Sequence, residues 1–283
     1  MSTSVTVTGT GVPPVCPGRA GSGVLVRHAD LALQFDAGRS TTLRLADVGV
    51  LPAELDAVFI THHHSDHIMG VVDLVYAAWV NRPVSVNLSF VAPSGPAVRF
   101  LERMLDPFED DLEVRTRHST RAWPQPRISS FEATADPTEV WARGDVRVLA
   151  RTVHHQPVEP AVCYRIETPD GAIVISGDTR VCDEVEELAT GCDVLVHEAF
   201  RVDAFVEETG DPSARVLGNY HSDVTLLGAM VARAAPGHLM LTHLVPQTRT
   251  DEAKAAFVTD LEAGGYKGPV TVCDDLDSFT FGD

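Results

Sequence analysis

Hydrophobic and polar positions along the chain switch repeatedly between a period of two and a helical period. Residues 3–8 alternate as a strand and end in the turn Gly9-Thr10-Gly11. The apolar run from Leu55 to Ile60 predicts a buried strand, and a helix is predicted from Ile68 to about Trp79. Further strands are predicted at residues 23–27, 31–35, 85–91, 127–132, 146–153, 161–167, 172–176, 194–197, 239–242 and 270–273. Further helices are predicted at residues 41–48, 181–189, 222–235 and 251–263.

Strands therefore alternate with helices in both halves of the chain. This pattern predicts an α/β protein built as a four-layer αβ/βα sandwich, with residues 1–283 forming a single domain. In the helix predicted at residues 222–235, Ser222 is the expected N-cap residue.

Residues 92–143 are the exception to this regular pattern. Six prolines and an acidic cluster at residues 109–111 predict an irregular excursion. Two interpretations remain open at this point. The excursion is either a surface segment stabilised by its own aromatic residues, or a functional lid or subunit interface.

Composition narrows the class of protein. A hydrophobic fraction of 44% is enough for a sizeable core and excludes wholesale disorder. The formal net charge of -18 argues against broad binding to nucleic acids or anionic membranes. It leaves room for an anionic substrate, because two bound divalent cations can reverse the potential locally.

The cysteines and the chain start indicate the compartment. Five scattered cysteines form no Cys-x-x-Cys pair, so neither a disulfide framework nor a thiolate zinc site is expected. An export signal is not expected, since the first residues lack a basic segment followed by an apolar core. A membrane-spanning segment is not expected either, because the longest apolar run, around Val71 to Val80, contains Asp73 and is too short to span a bilayer. A cytoplasmic protein is therefore predicted.

A histidine-rich motif lies between the strand that ends at Ile60 and the helix that begins at Ile68. Four of its residues fit the pattern His-x-His-x-Asp-His, namely His62, His64, Asp66 and His67. A polar loop or a tag-like tract is the alternative, but a tag is terminal and uninterrupted. Imidazoles packed on a strand-to-helix turn are suited to bind a divalent cation.

Three later strands end in residues that can also bind metals. His154-His155 follows the strand at 146–153, Asp178 follows the strand at 172–176, and His243 follows the strand at 239–242. A lone Asp or His at such a position is usually a turn or surface residue. Three of them, together with the upstream motif, favour a shared metal site.

The ordered set of motifs resembles the metallo-β-lactamase superfamily and, within it, the branch that contains ribonuclease Z. The resemblance covers nearly the whole chain outside residues 92–143. It is carried by the motifs at 9–11, 35–38, 61–67, 176–179, 194–199, 220–222 and 241–243, together with His155.

The resemblance implies a dinuclear metal centre. One divalent ion would be bound by His62, His64 and His155, and the other by Asp66, His67 and His243, with Asp178 bridging the two. Nitrogen and oxygen ligands without sulfur suit Zn²⁺, while Mn²⁺ or Fe²⁺ would be tolerated.

The same resemblance assigns the catalytic groups. Asp66 would orient a metal-bound hydroxide, and His221 with Glu198 would protonate the leaving oxygen. His154 would not bind a metal ion but would lie next to the ligands. His63 occupies a variable position of the motif and would not be a ligand.

The chain departs from the ribonuclease Z pattern in three places. The link of residues 167–171 reads as a hairpin turn and leaves no room for the inserted arm that grips transfer RNA. Phe200 and Asp223 replace threonines of two motifs. From these departures and the acidic balance, a small-molecule ester, first a phosphodiester, is the expected substrate. Nucleic acid and membrane partners are not expected, and a homodimer is expected by resemblance.

Several alternatives remain open. Sulfate esters, lactones and β-lactams are the next substrate classes from the same superfamily. Transfer RNA 3′ processing, a di-iron redox protein and a non-catalytic metal-binding protein are weaker alternatives. The redox subgroup tends to carry Glu where this chain has His64, which argues against it.

Overall fold

The computed structural model describes residues 2–80, 87–119 and 121–282. Its strands are β1 (Thr3–Gly9), β2 (Gly23–His28), β3 (Leu31–Phe35), β4 (Ala57–Phe59), β5 (Ser89–Pro93), β6 (Arg127–Phe131), β7 (Thr138–Arg143), β8 (Val146–Thr152), β9 (Val162–Thr168), β10 (Gly171–Ile175), β11 (Val194–Phe200), β12 (His238–Val245), β13 (Val270–Val272) and β14 (Ser278–Phe281). Its α-helices are α1 (Thr41–Asp47), α2 (Ser65–Ile68), α3 (Val71–Val80), α4 (Pro96–Arg103), α5 (Glu109–His118), α6 (Asp183–Ala189), α7 (Val202–Thr209), α8 (Val224–Ala234) and α9 (Asp251–Ala263). Short 3-10 helices lie at Pro52–Glu54, Asp106–Phe108 and Pro212–Asn219.

The strands form two seven-stranded mixed sheets. The first has the order β14-β1-β2-β3-β4-β5-β6, and the second has the order β13-β12-β11-β10-β9-β8-β7. In the second sheet, β8, β9 and β10 are antiparallel neighbours, whereas β10, β11, β12 and β13 run parallel. Parallel strands bring their carboxyl ends to the same edge, so residues that follow β10 and β11 meet there.

Three clusters of buried apolar side chains separate four layers. One lies between the first sheet and α1, α3 and α4, and includes Leu45 and Leu74. The central cluster lies between the sheets and includes Phe35, Phe59 and Tyr164. The third packs α6, α8 and α9 on the second sheet. The predicted four-layer αβ/βα sandwich is confirmed.

The expectation of an irregular excursion at residues 92–143 is wrong, because this segment contains α4, α5, β6 and β7. Some of the prolines lie at element boundaries: Pro93 is the last residue of β5, and Pro96 is the first residue of α4, a position where its missing amide proton costs nothing. Whether the segment acts as a lid or an interface stays a prediction. Of the strand expected at 85–91, residues 85 and 86 lie outside the described residues.

The start of α8 also differs from the prediction. Asp223, not Ser222, caps the helix, because its carboxylate accepts hydrogen bonds from Thr225 N at 3.0 Å and Leu226 N at 3.2 Å. Ser222 is fully buried, and its hydroxyl donates to the carbonyl of Thr179 at 2.7 Å. Ser222 therefore ties the start of α8 to the turn that carries Asp178.

In the described part of the chain, every helix is too short or too polar to cross a membrane.

Candidate metal centre

The His-rich motif forms the turn between β4 and α2. His62 follows the buried end of β4, and His64 is the residue before the first turn of α2. Asp66 and His67 lie in that first turn and are buried, with side chains 3% and 1% exposed. The end of β4 and the first turn of α2 thus place the side chains of these four residues on the same side of the turn.

The later residues arrive from the second sheet. His155 follows β8 and Asp178 follows β10, whereas His243 lies within β12. The pairing of β12 with β11 is shifted by one residue at His243, which adopts a positive φ of 47°. Such a bulge re-aims a side chain, and here it turns the His243 imidazole towards Asp178.

The structure brings together all seven of the residues predicted as ligands. His62, His64, His155 and Asp178 form one group, and Asp66, His67 and His243 form another, with the potential ligand atoms of each group within 4.8 Å of one another.

The Asp178 carboxylate lies between the two groups. Its Oδ2 is 3.8 Å from His62 Nε2 and 3.4 Å from His243 Nε2, while its Oδ1 is 3.3 Å from His67 Nε2. A carboxylate in this position can offer an oxygen ligand to each of the two groups at the same time.

The hydrogen-bonding state of these side chains fits metal ions. Among the described residues, His62 Nε2, His67 Nε2 and Asp66 Oδ1 are buried and have no hydrogen-bond partner. Leaving such atoms unpaired is costly, whereas coordination satisfies them. The cluster of histidines and aspartates is therefore suited to a dinuclear metal site.

Burial and neighbouring charges shift the pKa values in the cluster. Burial, together with nearby His155, lowers the pKa of His64 to about 4, and burial with nearby His67 lowers the pKa of His62. Burial acts to raise the pKa of Asp178, but the charges of His243 and His67 outweigh it and hold that pKa well below its usual range. His62, His64 and Asp178 are thereby held in the forms that bind cations, neutral imidazole and ionised carboxylate, whereas nearby aspartates outweigh burial and raise the pKa values of His67 and His243.

Asp36 orients one of these histidines and was not predicted as a site residue. It follows β3, and its carboxylate is 2.7 Å from His67 Nδ1. The same carboxylate accepts hydrogen bonds from Thr61 N at 2.8 Å and Thr61 Oγ1 at 2.7 Å. The His67 Nδ1 proton is thereby held by Asp36, which leaves Nε2 available for a metal ion. An acidic residue directly after a strand beside β4 is the sequence signal that could have identified it.

The pair of His221 and Glu198 lies beside the cluster. His221 Nδ1 is 2.9 Å and 3.0 Å from the two carboxylate oxygens of Glu198, whose Oε1 also accepts from Thr179 N at 2.8 Å. The rings of His221 and His243 are nearly parallel, at 18° and 5.7 Å between centroids.

Glu198 keeps His221 protonated. Burial lowers the pKa of His221, but the charge and hydrogen bond of Glu198 outweigh it and raise that pKa to about 9. Since Nδ1 is held by Glu198, the Nε2 proton is the one available for donation beside Asp178.

The neighbouring histidines take other positions. His154 Nε2 is 3.1 Å from a Glu184 carboxylate oxygen, so this ring is directed to α6 and not to the cluster. His63 lines a separate surface groove with Met69 and Phe100. His155 instead contacts His64 across 3.2 Å, and its Nδ1 is 2.9 Å from the carbonyl of Tyr220, a contact that the sequence did not indicate.

Comparison with known proteins agrees with this architecture. Residues 16–193 match the family model described as the Metallo-beta-lactamase superfamily. A curated relative, the Ribonuclease Z of Mycobacterium bovis, is 37% identical over 277 residues, which cover 96% of each chain. The chain belongs to the metallo-beta-lactamase superfamily, a class of metal-dependent hydrolases. Within it, the chain falls in the ribonuclease Z-like branch.

Solved structures share the fold across almost the full length. The metallo-beta-lactamase fold protein YhfI from Bacillus subtilis superposes with a TM-score of 0.72 at 20% identity, covering 99% of both chains. The short form of human tRNase Z superposes with a TM-score of 0.69 at 20% identity, covering 98% of both chains.

These relatives correct the expected partners. The expectation of a small-molecule ester as substrate, with nucleic acid not expected, is contradicted by relatives that are named Ribonuclease Z and match over 96% of their length. The error has a physical cause: net charge sums over the whole surface, whereas binding depends on the local potential at the site.

Proposed function

We propose that this protein hydrolyses phosphodiester bonds in RNA, with the 3′ end of precursor transfer RNA as the substrate class. The observation that carries the proposal is the His221–Glu198 pair, held at 2.9 Å and directed at the edge of the His/Asp cluster. A ribose oxygen is a poor leaving group and needs a proton, which this pair can supply. The relatives named Ribonuclease Z, and the fold shared with human tRNase Z, support RNA as the substrate.

We further propose that His62, His64 and His155 hold one divalent cation, that Asp66, His67 and His243 hold a second, and that Asp178 bridges them. Their grouping into two clusters supports this assignment. Zinc is the proposed metal, since imidazole nitrogens and carboxylate oxygens are among its common ligands. When bound, the cations supply Lewis acidity that stabilises charge developing on the phosphoryl oxygens.

Three residues of the chain would then orient the water and protonate the leaving oxygen. Asp66 orients the attacking water. Its Oδ1 is buried and has no hydrogen-bond partner among the described residues, so it is available to accept a hydrogen bond from that water. The attacking water gives a proton to Asp66 as its oxygen bonds to phosphorus, the bond from phosphorus to the ribose oxygen breaks, and that oxygen takes the Nε2 proton of His221. Glu198 holds the imidazole in place through Nδ1. General acid catalysis of this kind contributes about 10²- to 10⁴-fold to the rate.

The test is an assay of metal-loaded protein on a precursor transfer RNA with a 3′ extension. We expect endonucleolytic cleavage near the base of the extension, and a loss of roughly 10²- to 10⁴-fold in kcat for His221→Ala. His154→Ala is the matched control, because this residue pairs with Glu184 away from the cluster. Intact RNA after incubation with fully metal-loaded protein would refute the proposed function.

A further inference from the structure

A cleft of about 640 Å³ opens directly beside His221 and His243. Its lining includes the loop at residues 12–16, with Pro13 and Pro14, and also Phe205 of α7. The walls are mostly apolar, which suits a flat aromatic group more than a phosphate.

A series of ring contacts connects this cleft to the proposed proton donor. The Phe205 ring is 5.5 Å from that of Phe200, and Phe200 is 6.1 Å from the ring of His221. A group that packs on Phe205 therefore lies on the His221 side of the cluster. That is the side on which the leaving oxygen receives its proton.

The proline loop is held rigidly before any substrate arrives. The Arg39 guanidinium donates to the carbonyl oxygens of Val12 at 2.7 Å, Pro14 at 3.3 Å and Pro13 at 3.4 Å. A wall that is already ordered costs little further conformational entropy when a ligand binds.

A second cavity of about 410 Å³ adjoins the first and shares Cys16, Arg249 and Thr250 with it. Each of its other three cations has an acidic partner: Lys254 and Arg19 share Asp274, at 2.6 Å and 2.8 Å, and Arg44 Nε lies 3.0 Å from Asp275. Arg249 is exposed and, among the described residues, has no ion-pair partner. It is the cation at the border of the two cavities that is available to a phosphate.

We infer that this cleft is a nucleobase subsite. It holds the unpaired base of the nucleotide that carries the leaving oxygen, stacked on Phe205, while Arg249 contacts a phosphate of the same strand. Aromatic platforms next to cations are how proteins bind single-stranded nucleic acid. The inference rests on the proposed RNA cleavage and adds the position of one base to it.

The experiment combines a protein variant with an RNA variant. Phe205→Ala is assayed on the precursor transfer RNA and on the same RNA with one abasic nucleotide on the leaving-group side of the cleavage site. Each change alone should raise KM by roughly 5- to 150-fold, the range expected when one stacked base loses its aromatic partner. Because both remove the same contact, their combination should raise KM little beyond either change alone.

Controls separate stacking from folding. Phe281→Ala truncates a half-buried phenylalanine of β14, at the far edge of the first sheet, and should leave KM unchanged. If Phe205→Ala fails to fold, Phe205→Leu takes its place, since it keeps most of the volume without the aromatic face. Arg249→Ala changes an exposed residue and should raise KM. It should also reduce the slope of log KM against log salt concentration by about 1, because one phosphate contact is lost.

The outcomes distinguish the two proposals. An intact RNA with every enzyme form overturns the proposed function. Normal cleavage by wild-type protein, with an unchanged KM for Phe205→Ala or with effects of the two changes that simply multiply, overturns the nucleobase subsite alone.

Discussion

Asp36→Asn tests how strongly metal binding at the His/Asp cluster depends on a residue outside the proposed ligand set. The substitution keeps the size of the side chain and removes its charge. Asp36 has a positive φ of 53°, which asparagine tolerates as well as aspartate does, so the backbone should be undisturbed. Any effect then comes from the hydrogen bonds of the side chain.

The expected size follows from the contacts. Asn Oδ1 can still accept from Thr61 N, which Asp36 does at 2.8 Å. Its amide NH₂ then faces His67 Nδ1, at the position where a carboxylate oxygen now lies 2.7 Å away. Two donors cannot face each other, so His67 must move its proton to Nε2, the atom needed for coordination. Changes to such orienting partners weaken metal affinity by about 10- to 100-fold, or roughly 1.4–2.8 kcal/mol.

The assay is competition for Zn²⁺ against a chromophoric chelator, with wild type and Asp36→Asn compared at one pH. Asp170→Asn is the matched control. Asp170 accepts a hydrogen bond from Thr3 Oγ1 at 2.7 Å and lies 3.2 Å from His28 Nδ1, but at the opposite end of β10 from Asp178. Equal zinc affinity in Asp36→Asn and wild type, or an equal loss in both variants, would show that the orienting role is wrong.

Three other variants address separate features. Glu198→Gln removes the carboxylate that raises the pKa of His221 to about 9. Because a proton donor is lost as pH rises through its pKa, the basic limb of kcat/KM should move towards or below pH 6.5; a limb that stays in place counts against the pairing. His155→Ala should lower the metal content found by elemental analysis while His154→Ala leaves it unchanged, and equal contents would contradict the ligand assignment. Gly38→Ala places a methyl group against a backbone carbonyl of the motif turn and should destabilise the protein by about 1–3 kcal/mol in urea unfolding; an unchanged midpoint would contradict the close approach.

The sequence predicted best those elements whose signal is local. The helix predicted at residues 251–263 has these bounds in the structure, because Thr250 caps it through a hydrogen bond from Ala253 N at 3.2 Å. By contrast, α5 was missed although it carries acidic residues first and basic residues last. It buries only Leu112, so the hydrophobic period that identifies most helices is absent. Its ion pairs four residues apart, such as Arg115 with Asp111 at 2.7 Å, were the available signal.

The same contrast holds for the site: residue types in the sequence predicted some of its features, whereas others depend on backbone atoms and strand pairing. Histidines and aspartates at strand ends predicted the cluster, because those residue types are rare together without a metal. The Tyr220 carbonyl that holds His155 Nδ1 is a backbone atom, and backbone atoms leave no trace in residue identity. The bulge that turns His243 inwards depends on the pairing of β11 with β12, which no local pattern specifies.

The acidic character of the chain argued against a nucleic-acid substrate, but it is compatible with the RNA cleavage proposed above. The formal charge of -18 is spread over the whole surface. At the site, two divalent cations would, when bound, outweigh the charge of Asp66 and Asp178, and Arg249 borders the cleft without a neutralising partner among the described residues. An acidic surface elsewhere repels phosphates and so suppresses the non-specific binding that dominates for basic proteins. Under the proposed function, RNA is held only where the cleft supplies both positive charge and an aromatic wall, so an overall negative charge favours selectivity for an exposed 3′ strand.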